Sequence, residues 1–313
     1  MSSPSLTSKA VALITSTLTG IRLPGLARSI CMQPESPVRT RYVECGAHRL
    51  AVDVAGRVGT PAVLLVHGIP GWRGTWREVA ERVSGWGQVF APDLAGFGQS
   101  SGAPQAFHAS DHADVLISLA HRLELSRVHV VGFDFGGPTA VLMAARAPGL
   151  VPSLTLAATN VLTDTPIPLP LQLVRPPALG DLVARLFFGR AGLSMMWRAA
   201  VVRRDRFPLH DYRDALRFPQ GIASTRDIFQ GSLRDLPGLY GPIESALATI
   251  NVPCGVVWGE RDPFFPLAVG RRTALRIPGA TFSVLEGCGH FLPKEDPDGV
   301  ARSIQDVYER SRA

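Results

Sequence analysis

The stretch Gly132-Phe133-Asp134-Phe135-Gly136-Gly137 carries the residue types and spacing best suited to chemistry. An apolar run at 128–132 leads into it and a helical pattern at 139–145 follows, so a strand must turn sharply into a helix. A turn that tight crowds any side chain beside its centre, which is why glycines flank it. The central carboxylate is lifted clear of the sheet edge, and the helix N-terminus favours its negative charge. This is the spacing of a nucleophile elbow, G-x-Nu-x-G, with Asp134 as nucleophile. A helix cap would sit beside the first helical turn without glycines on both sides.

Two residues further along supply partners. Asp262 lies in Trp258-Gly259-Glu260-Arg261-Asp262-Pro263, after a short apolar run, and His290 lies in Gly287-Cys288-Gly289-His290-Phe291, after another. A histidine oriented by an acid can serve as a general base. The other histidines, at 48, 108, 112, 121, 129 and 210, lack such a setting and read as core or surface residues. Near the start of the chain, His67-Gly68-Ile69-Pro70-Gly71 follows a continuous apolar run. A loop there can aim the backbone N–H of Ile69, together with that of Phe135, at an oxygen on Asp134, forming an oxyanion hole. His67 is expected to bond its own loop, and Pro70 to hold a cis peptide.

The elements that must position these residues alternate along the chain. Residues 39–45 and 50–55, joined by 46–49, read as an antiparallel pair. Buried strands are expected at 61–66, 88–92, 128–132 and 154–158, and helices at 76–83, 111–123 and 139–145. This alternation calls for crossover units and a parallel sheet with helices on both faces. After Asn160 the rhythm breaks. Residues 163–177 are proline-rich, and the segment to about 248 reads as helices and loops. Strands resume at 255–258 and 282–285, and 298–311 closes the chain as a helix. The count is two antiparallel strands, six parallel ones and a helical insertion after the sixth strand. The divisions are a helical, amphipathic extension at 1–36, a core in two parts at 37–160 and 249–313, and a cap at 161–248.

Composition narrows the classes. The 313 residues are 46% hydrophobic and 19% charged, as in a globular protein with a sizeable core. The net charge of +6 is carried almost wholly by arginine, lysine occurring only at Lys9 and Lys294. Its densest cluster, Arg203, Arg204 and Arg206, is interrupted by Asp205 and lacks interleaved aromatics, which argues against a nucleic-acid partner. Cys31, Cys45, Cys254 and Cys288 lack metal-ligand spacing, so a reduced, cytoplasmic protein is expected. The first 34 residues hold no acidic residue, and 10–21 is apolar but too short for a membrane span. It suits an amphipathic helix packed on the domain or in weak contact with a membrane surface. No metal, nucleotide or flavin motif is present; water is the only co-substrate required.

The H-G-x-P loop, the Asp elbow and the Gly-His-Phe ending jointly resemble the α/β-hydrolase branch that contains epoxide hydrolases and haloalkane dehalogenases. The likeness runs from about Arg39 onward and is weakest in the cap. It implies an α/β-hydrolase fold, with an eight-stranded, mostly parallel sheet and a helical cap after strand 6. It further implies Asp134 as nucleophile, Asp262 as orienting acid, His290 as base, and Ile69 and Phe135 as oxyanion donors. In this branch the carboxylate displaces a leaving group from saturated carbon, and water activated by histidine then hydrolyses the alkyl ester.

The two chemistries differ in what they ask of other residues. A dehalogenase commonly holds halide on N–H donors at the positions occupied here by Phe135 and Ile69, whose side chains have none. Trp197 in the cap is the remaining donor, and core packing is its expected role. An epoxide hydrolase uses two cap tyrosines as acids, and Tyr212 and Tyr240 are available, although the second family position falls near 233–235, where this chain has no tyrosine. Apolar stretches at 168–173, 182–188 and 193–197 imply a lipophilic substrate. Epoxide hydrolysis is therefore expected, with haloalkane dehalogenation and a non-catalytic ligand receptor on this fold as alternatives.

Overall fold

The computed structural model describes residues 38–312 except 104–106, 166–171, 173–181 and 184, and elements are numbered over those residues. The expectations for 1–36 and for the apolar stretch at 168–173 fall outside them, or nearly so.

Eight strands form one sheet in the order β1-β2-β4-β3-β5-β6-β7-β8. They are β1 Arg39–Cys45, β2 His48–Ala55, β3 Ala62–Val66, β4 Gln88–Pro92, β5 Val128–Phe133, β6 Leu154–Ala157, β7 Cys254–Gly259 and β8 Thr281–Leu285. The central strands are mostly apolar because both faces are covered: every residue of β5 and of β7 is buried, and the one histidine among them, His129, bonds its ring to Ser153 and Thr155. The edge strand β1 is mostly exposed and carries Arg39, Arg41 and Glu44, charges that discourage pairing with another chain.

Two sequence expectations shift here. The β1–β2 loop is only Gly46-Ala47, with Gly46 at φ 61°, because His48 and Arg49 pair with Cys45 and Glu44 and belong to β2. And β2 alone runs against the sheet. It is antiparallel to both β1 and β4, so β1 points the same way as the six parallel strands.

Helices α1 Arg77–Val83, α2 Ala109–Arg122 and α3 Gly136–Arg146 follow β3, β4 and β5, α8 Leu267–Arg276 joins β7 to β8, and α9 Leu292–Glu295 and α10 Pro297–Arg310 close the chain. The last of these starts as the chemistry of its residues requires. Asp296 caps it by accepting from the Gly299 N–H at 3.0 Å, Pro297 occupies its first turn, and Val300, Ile304 and Val307 form its buried stripe. Between β6 and β7 the chain inserts α4 Arg190–Ala200, α5 Leu209–Tyr212, α6 Pro219–Arg234 and α7 Leu236–Leu247. No helix of the described residues is long and apolar enough to cross a membrane.

The register matters for the site. Val66 pairs with Gly132, Phe133 with Ala157, and Gly259 with Leu285, so the loops after β3, β5, β6, β7 and β8 all leave from one edge. A crevice at the carboxyl ends of parallel strands is where such sheets bind ligands.

Candidate active site

Asp134 sits where β5 ends and α3 begins, at φ 52°, in the left-handed region that non-glycine residues avoid. The surroundings hold it there. Its N–H donates to the Ala157 carbonyl at 3.2 Å, and its own carbonyl accepts from the Thr159 hydroxyl and from the Gly137 N–H. Gly136 packs against the end of β3, where an added Cβ would lie 2.8 Å from the carbonyl carbon of Val66, so no larger residue fits. The strained turn is thus held by Gly136 packed on β3 and by the hydrogen bonds of Asp134 to Ala157 and Thr159 at the end of β6.

The three residues singled out from the sequence converge. Nδ1 of His290 lies 2.8 Å from Oδ2 of Asp262, and Nε2 lies 3.4 Å from Oδ2 of Asp134. The other oxygen of Asp262 accepts the N–H groups of Phe264 and Phe265, at 2.8 and 3.0 Å. An acid held on both oxygens fixes the imidazole with Nδ1 protonated toward Asp262 and Nε2 toward Asp134. The rings of Phe133, Phe264, Phe265 and Phe291 surround His290 at centroid distances of 5.0 to 5.4 Å. Burial among them opposes protonation, yet the charge of Asp262 and the hydrogen bond and charge of Asp134 outweigh it and raise His290 to about 10.

The loop expected to supply an oxyanion donor reaches Asp134. Ile69 donates its N–H to Oδ1 of Asp134 at 2.8 Å, and the Ile69–Pro70 bond is cis. Gly68 passes so close to Asp134 that a Cβ there would lie 2.5 Å from Oδ1. Phe135 is the N-cap of α3, ahead of the first i→i−4 bond of the helix, where N–H groups are free to serve a ligand. His67 does bond its own loop: Nδ1 donates to the Gly68 carbonyl at 2.8 Å, Nε2 accepts from the Leu94 N–H at 3.0 Å, and burial holds it neutral by lowering its pKa.

Two buried networks brace the site without any local motif to announce them. Asp93, after β4, accepts the backbone N–H of Arg73 at 2.7 Å and of Gln99 at 2.8 Å, and forms an ion pair with the Arg73 guanidinium. Arg73 also reaches Asp53 on β2 at 2.8 Å. This ties the segment after Pro70 to the edge of the sheet. The second network is built on Glu295 and is taken up below.

In the insertion, Tyr212 is 4% exposed and packs edge-on to Phe291 at 5.0 Å, while Tyr240 is half-buried against the core. Burial first, and then the nearby Asp134 carboxylate, push both phenols well above the ordinary tyrosine range. Both therefore feel the charge on Asp134. Trp197 packs as expected, its indole N–H donating to the Phe207 carbonyl at 2.7 Å. Cys288 is a buried free thiol, raised to about 12 chiefly by burial. Among the described residues no cluster of side chains could hold a metal ion.

The fold and this constellation define a hydrolase-type site on an open, mostly parallel sheet. Comparison agrees: the profile described as alpha/beta hydrolase fold matches residues 61–297, and the chain belongs to that family. It is 28% identical over 286 residues to "Uncharacterized protein Rv2715" of Mycobacterium tuberculosis (strain ATCC 25618 / H37Rv), covering 88% of this chain and 81% of that one. It is 27% identical over 267 residues to a 2-hydroxy-6-oxononadienedioate/2-hydroxy-6-oxononatrienedioate hydrolase of Burkholderia vietnamiensis (strain G4 / LMG 22486), covering 80% and 88%. Among solved structures, a haloalkane dehalogenase loop variant from Bradyrhizobium elkanii superposes with a TM-score of 0.73 at 21% identity, covering 89% and 100% of the two chains. The epoxide hydrolase CorEH superposes with a TM-score of 0.70 at 21% identity, covering 87% and 99%. Likenesses at that identity speak to fold alone.

Proposed function

We propose that the protein is an epoxide hydrolase that works through an alkyl ester of Asp134. The observation that carries the reading is an elbow carboxylate with its two oxygens differently engaged. Oδ1 is bound by the Ile69 N–H at 2.8 Å, and Oδ2 faces His290 at 3.4 Å. Oδ2 attacks an epoxide carbon, the ring C–O bond breaks, and its electron pair stays on oxygen, which takes a proton from Tyr212 or Tyr240. His290 then removes a proton from water, and the hydroxide adds to the Asp134 carboxyl carbon. Negative charge collects on Oδ1, where the N–H groups of Ile69 and Phe135 stabilise it. Collapse of that intermediate breaks the bond from carboxyl carbon to ester oxygen. The hydroxyl proton of that intermediate passes to the leaving oxygen, so the diol leaves and the carboxylate is restored with one oxygen from water. The tyrosine is reprotonated by the imidazolium of the resting protein before water is activated.

Support for epoxide over haloalkane comes from the insertion. Tyr212, buried, and Tyr240, half-buried, both feel the charge of Asp134. Among the described residues the Tyr212 hydroxyl is held only by a weak contact to the Met196 sulfur at 4.0 Å, whereas the Trp197 N–H is committed to the Phe207 carbonyl at 2.7 Å. Departing halide would find apolar Ile69 and Phe135 side chains where donors are needed. A non-catalytic receptor would have no use for a histidine hydrogen-bonded to one carboxylate and facing another.

The test is an intact-mass measurement on His290→Gln after exposure to epoxides and haloalkanes. An added mass equal to the whole epoxide is expected, localised to the peptide around Asp134. The wild type, assayed in parallel, is expected to yield diol from an apolar epoxide such as styrene oxide. No adduct with any epoxide, or halide release without diol formation, would sink the proposal. A ring-opened 2-hydroxy-6-oxo acid belongs in the same panel, because relatives bear that hydrolase name.

A further inference from the structure

We infer that Glu295 is a positioning residue for His290, fastening the loop that carries the histidine to the helical insertion. The inference rests on the proposed ester chemistry for its kinetic meaning but on geometry for its existence. Glu295 is 1% exposed, yet it makes no ion pair among the described residues. Its carboxylate is spent on backbone. Oε1 accepts the Phe291 N–H at 3.1 Å, and Oε2 accepts the N–H groups of Gly289 at 3.0 Å, Val202 at 2.8 Å and Arg203 at 2.9 Å.

The pairing of these four donors is informative. Gly289 and Phe291 are the residues on either side of His290. Val202 and Arg203 follow the end of α4. One carboxylate therefore clamps both flanks of the histidine to the exit of an insertion helix. A second contact runs in parallel: the His290 N–H itself donates to the Ala200 carbonyl at 2.9 Å. Gly289 is pressed so close that an added Cβ would lie 3.0 Å from Oε1 of Glu295 and would collide with Ala200. Charge-assisted bonds to backbone N–H groups are the strong kind, and buried ones are costly to leave unmade.

The clamp has a specific target. Asp262 orients the His290 ring from Nδ1 and four phenyl rings pack around it, while the advance of the loop toward Asp134 is governed from the other end, by the backbone at 289–291 that Glu295 holds. Only the second half-reaction uses His290 as base, so displacement of this backbone must fall on ester hydrolysis rather than ester formation. A misplacement of about 1 Å costs on the order of 10²-fold in rate.

Glu295→Gln is the informative variant. With its oxygen in the Oε2 position it keeps three acceptor contacts and turns an NH₂ against the Phe291 N–H, so it loosens the histidine flank while leaving the insertion side attached. Single-turnover kinetics followed by intact mass are expected to show ester forming at near the wild-type rate and decaying on the order of 10²-fold more slowly. The far-downfield proton signal of His290 Nδ1–H is expected to move. Wild-type decay with an unmoved signal would overturn the inference. So would parallel slowing of both steps with a lowered melting temperature, the pattern of a merely structural residue. If no ester forms even in His290→Gln, the functional reading fails instead, and the His290 proton signal in Glu295→Gln decides the inference alone. Should the variant not fold, hydrogen exchange in the wild type decides it. The amides of Val202, Arg203, Gly289 and Phe291 are expected to exchange as one unit, and independent exchange of the two pairs would overturn it.

Discussion

Nε2 of His290 stands 3.4 Å from Oδ2 of Asp134, too long for a strong hydrogen bond and close enough for an ion pair. In the resting protein this contact works against base catalysis, because Asp134 and Asp262 together keep the proton on the imidazole to about pH 10. In the proposed reaction, alkylation changes the balance. An ester at Asp134 carries no charge, so burial and the single charge of Asp262 are left to compete, and the proton affinity of His290 drops. The step that makes the ester thereby produces the base that removes it.

This electrostatic arrangement leaves a signature in stability. The proton affinity of His290 is raised in the folded protein above its ordinary value of 6.5, to about 10. The group therefore stabilises the fold fully below about pH 6.5, and that contribution is lost as pH rises through about 10. Urea denaturation across that window is expected to show a decline in the wild type that His290→Gln lacks. An equal decline in both proteins would place the proton elsewhere.

Asp262→Asn tests the tautomer. Oδ1 would still accept from Phe264 and Phe265, so the fold is retained, but an NH₂ would face Nδ1 and drive the ring to the other tautomer. Loss of catalysis on the order of 10⁴-fold is expected from a comparable change in a histidine–acid pair. Because the proposed nucleophile, Asp134, is untouched, the loss should fall on ester hydrolysis, and a stoichiometric burst of epoxide consumption should remain. Absence of the burst would mean Asp262 supports ester formation as well.

The insertion tyrosines give a prediction that separates substrates. Tyr212→Phe and Tyr240→Phe are each expected to lower kcat/KM for epoxides by about 10- to 10²-fold, and the double variant by roughly 10² to 10⁴. Any residual haloalkane turnover needs no proton at the leaving group and should be unaffected. Equal losses on both substrate types would make the tyrosines packing residues.

Much of this architecture could be read from residue order, and the exceptions have physical causes. Asp134, Asp262 and His290 were legible because glycines and strand ends announce them locally, and their convergence follows from a parallel sheet whose strands all end at one edge. The loop of His67 was legible for the same reason of local context. Helix α8 was not, because its arginines at 271, 272 and 276 interrupt the apolar stripe. The direction of β1 was not, since a hairpin fixes two strands relative to each other and not to the sheet. Asp93, Arg73 and Glu295 were invisible: their partners are backbone N–H groups and charges brought together only by tertiary packing.

The Asp93 network supplies the last prediction. Asp93 is fully buried and receives the guanidinium and the backbone N–H of Arg73 together with the Gln99 N–H. Removing the carboxylate strands both backbone N–H groups and leaves the guanidinium only its contacts with Asp53 and Gln99, whereas removing the guanidinium leaves Asp93 two backbone partners. Asp93→Ala is therefore expected to cost about 3–5 kcal/mol, the range for breaking a buried ion pair, and Arg73→Ala less. Because Arg73 lies just after the Ile69–Pro70 bond, the loop that presents the Ile69 N–H should loosen as well. Ester formation and ester hydrolysis should then both slow in Asp93→Ala, in contrast to Asp262→Asn, where the second step alone is hit. Urea midpoints and single-turnover mass measurements on the two variants check both halves. Equal destabilisation by the two substitutions would mean the guanidinium, and not the backbone donors, is what Asp93 holds.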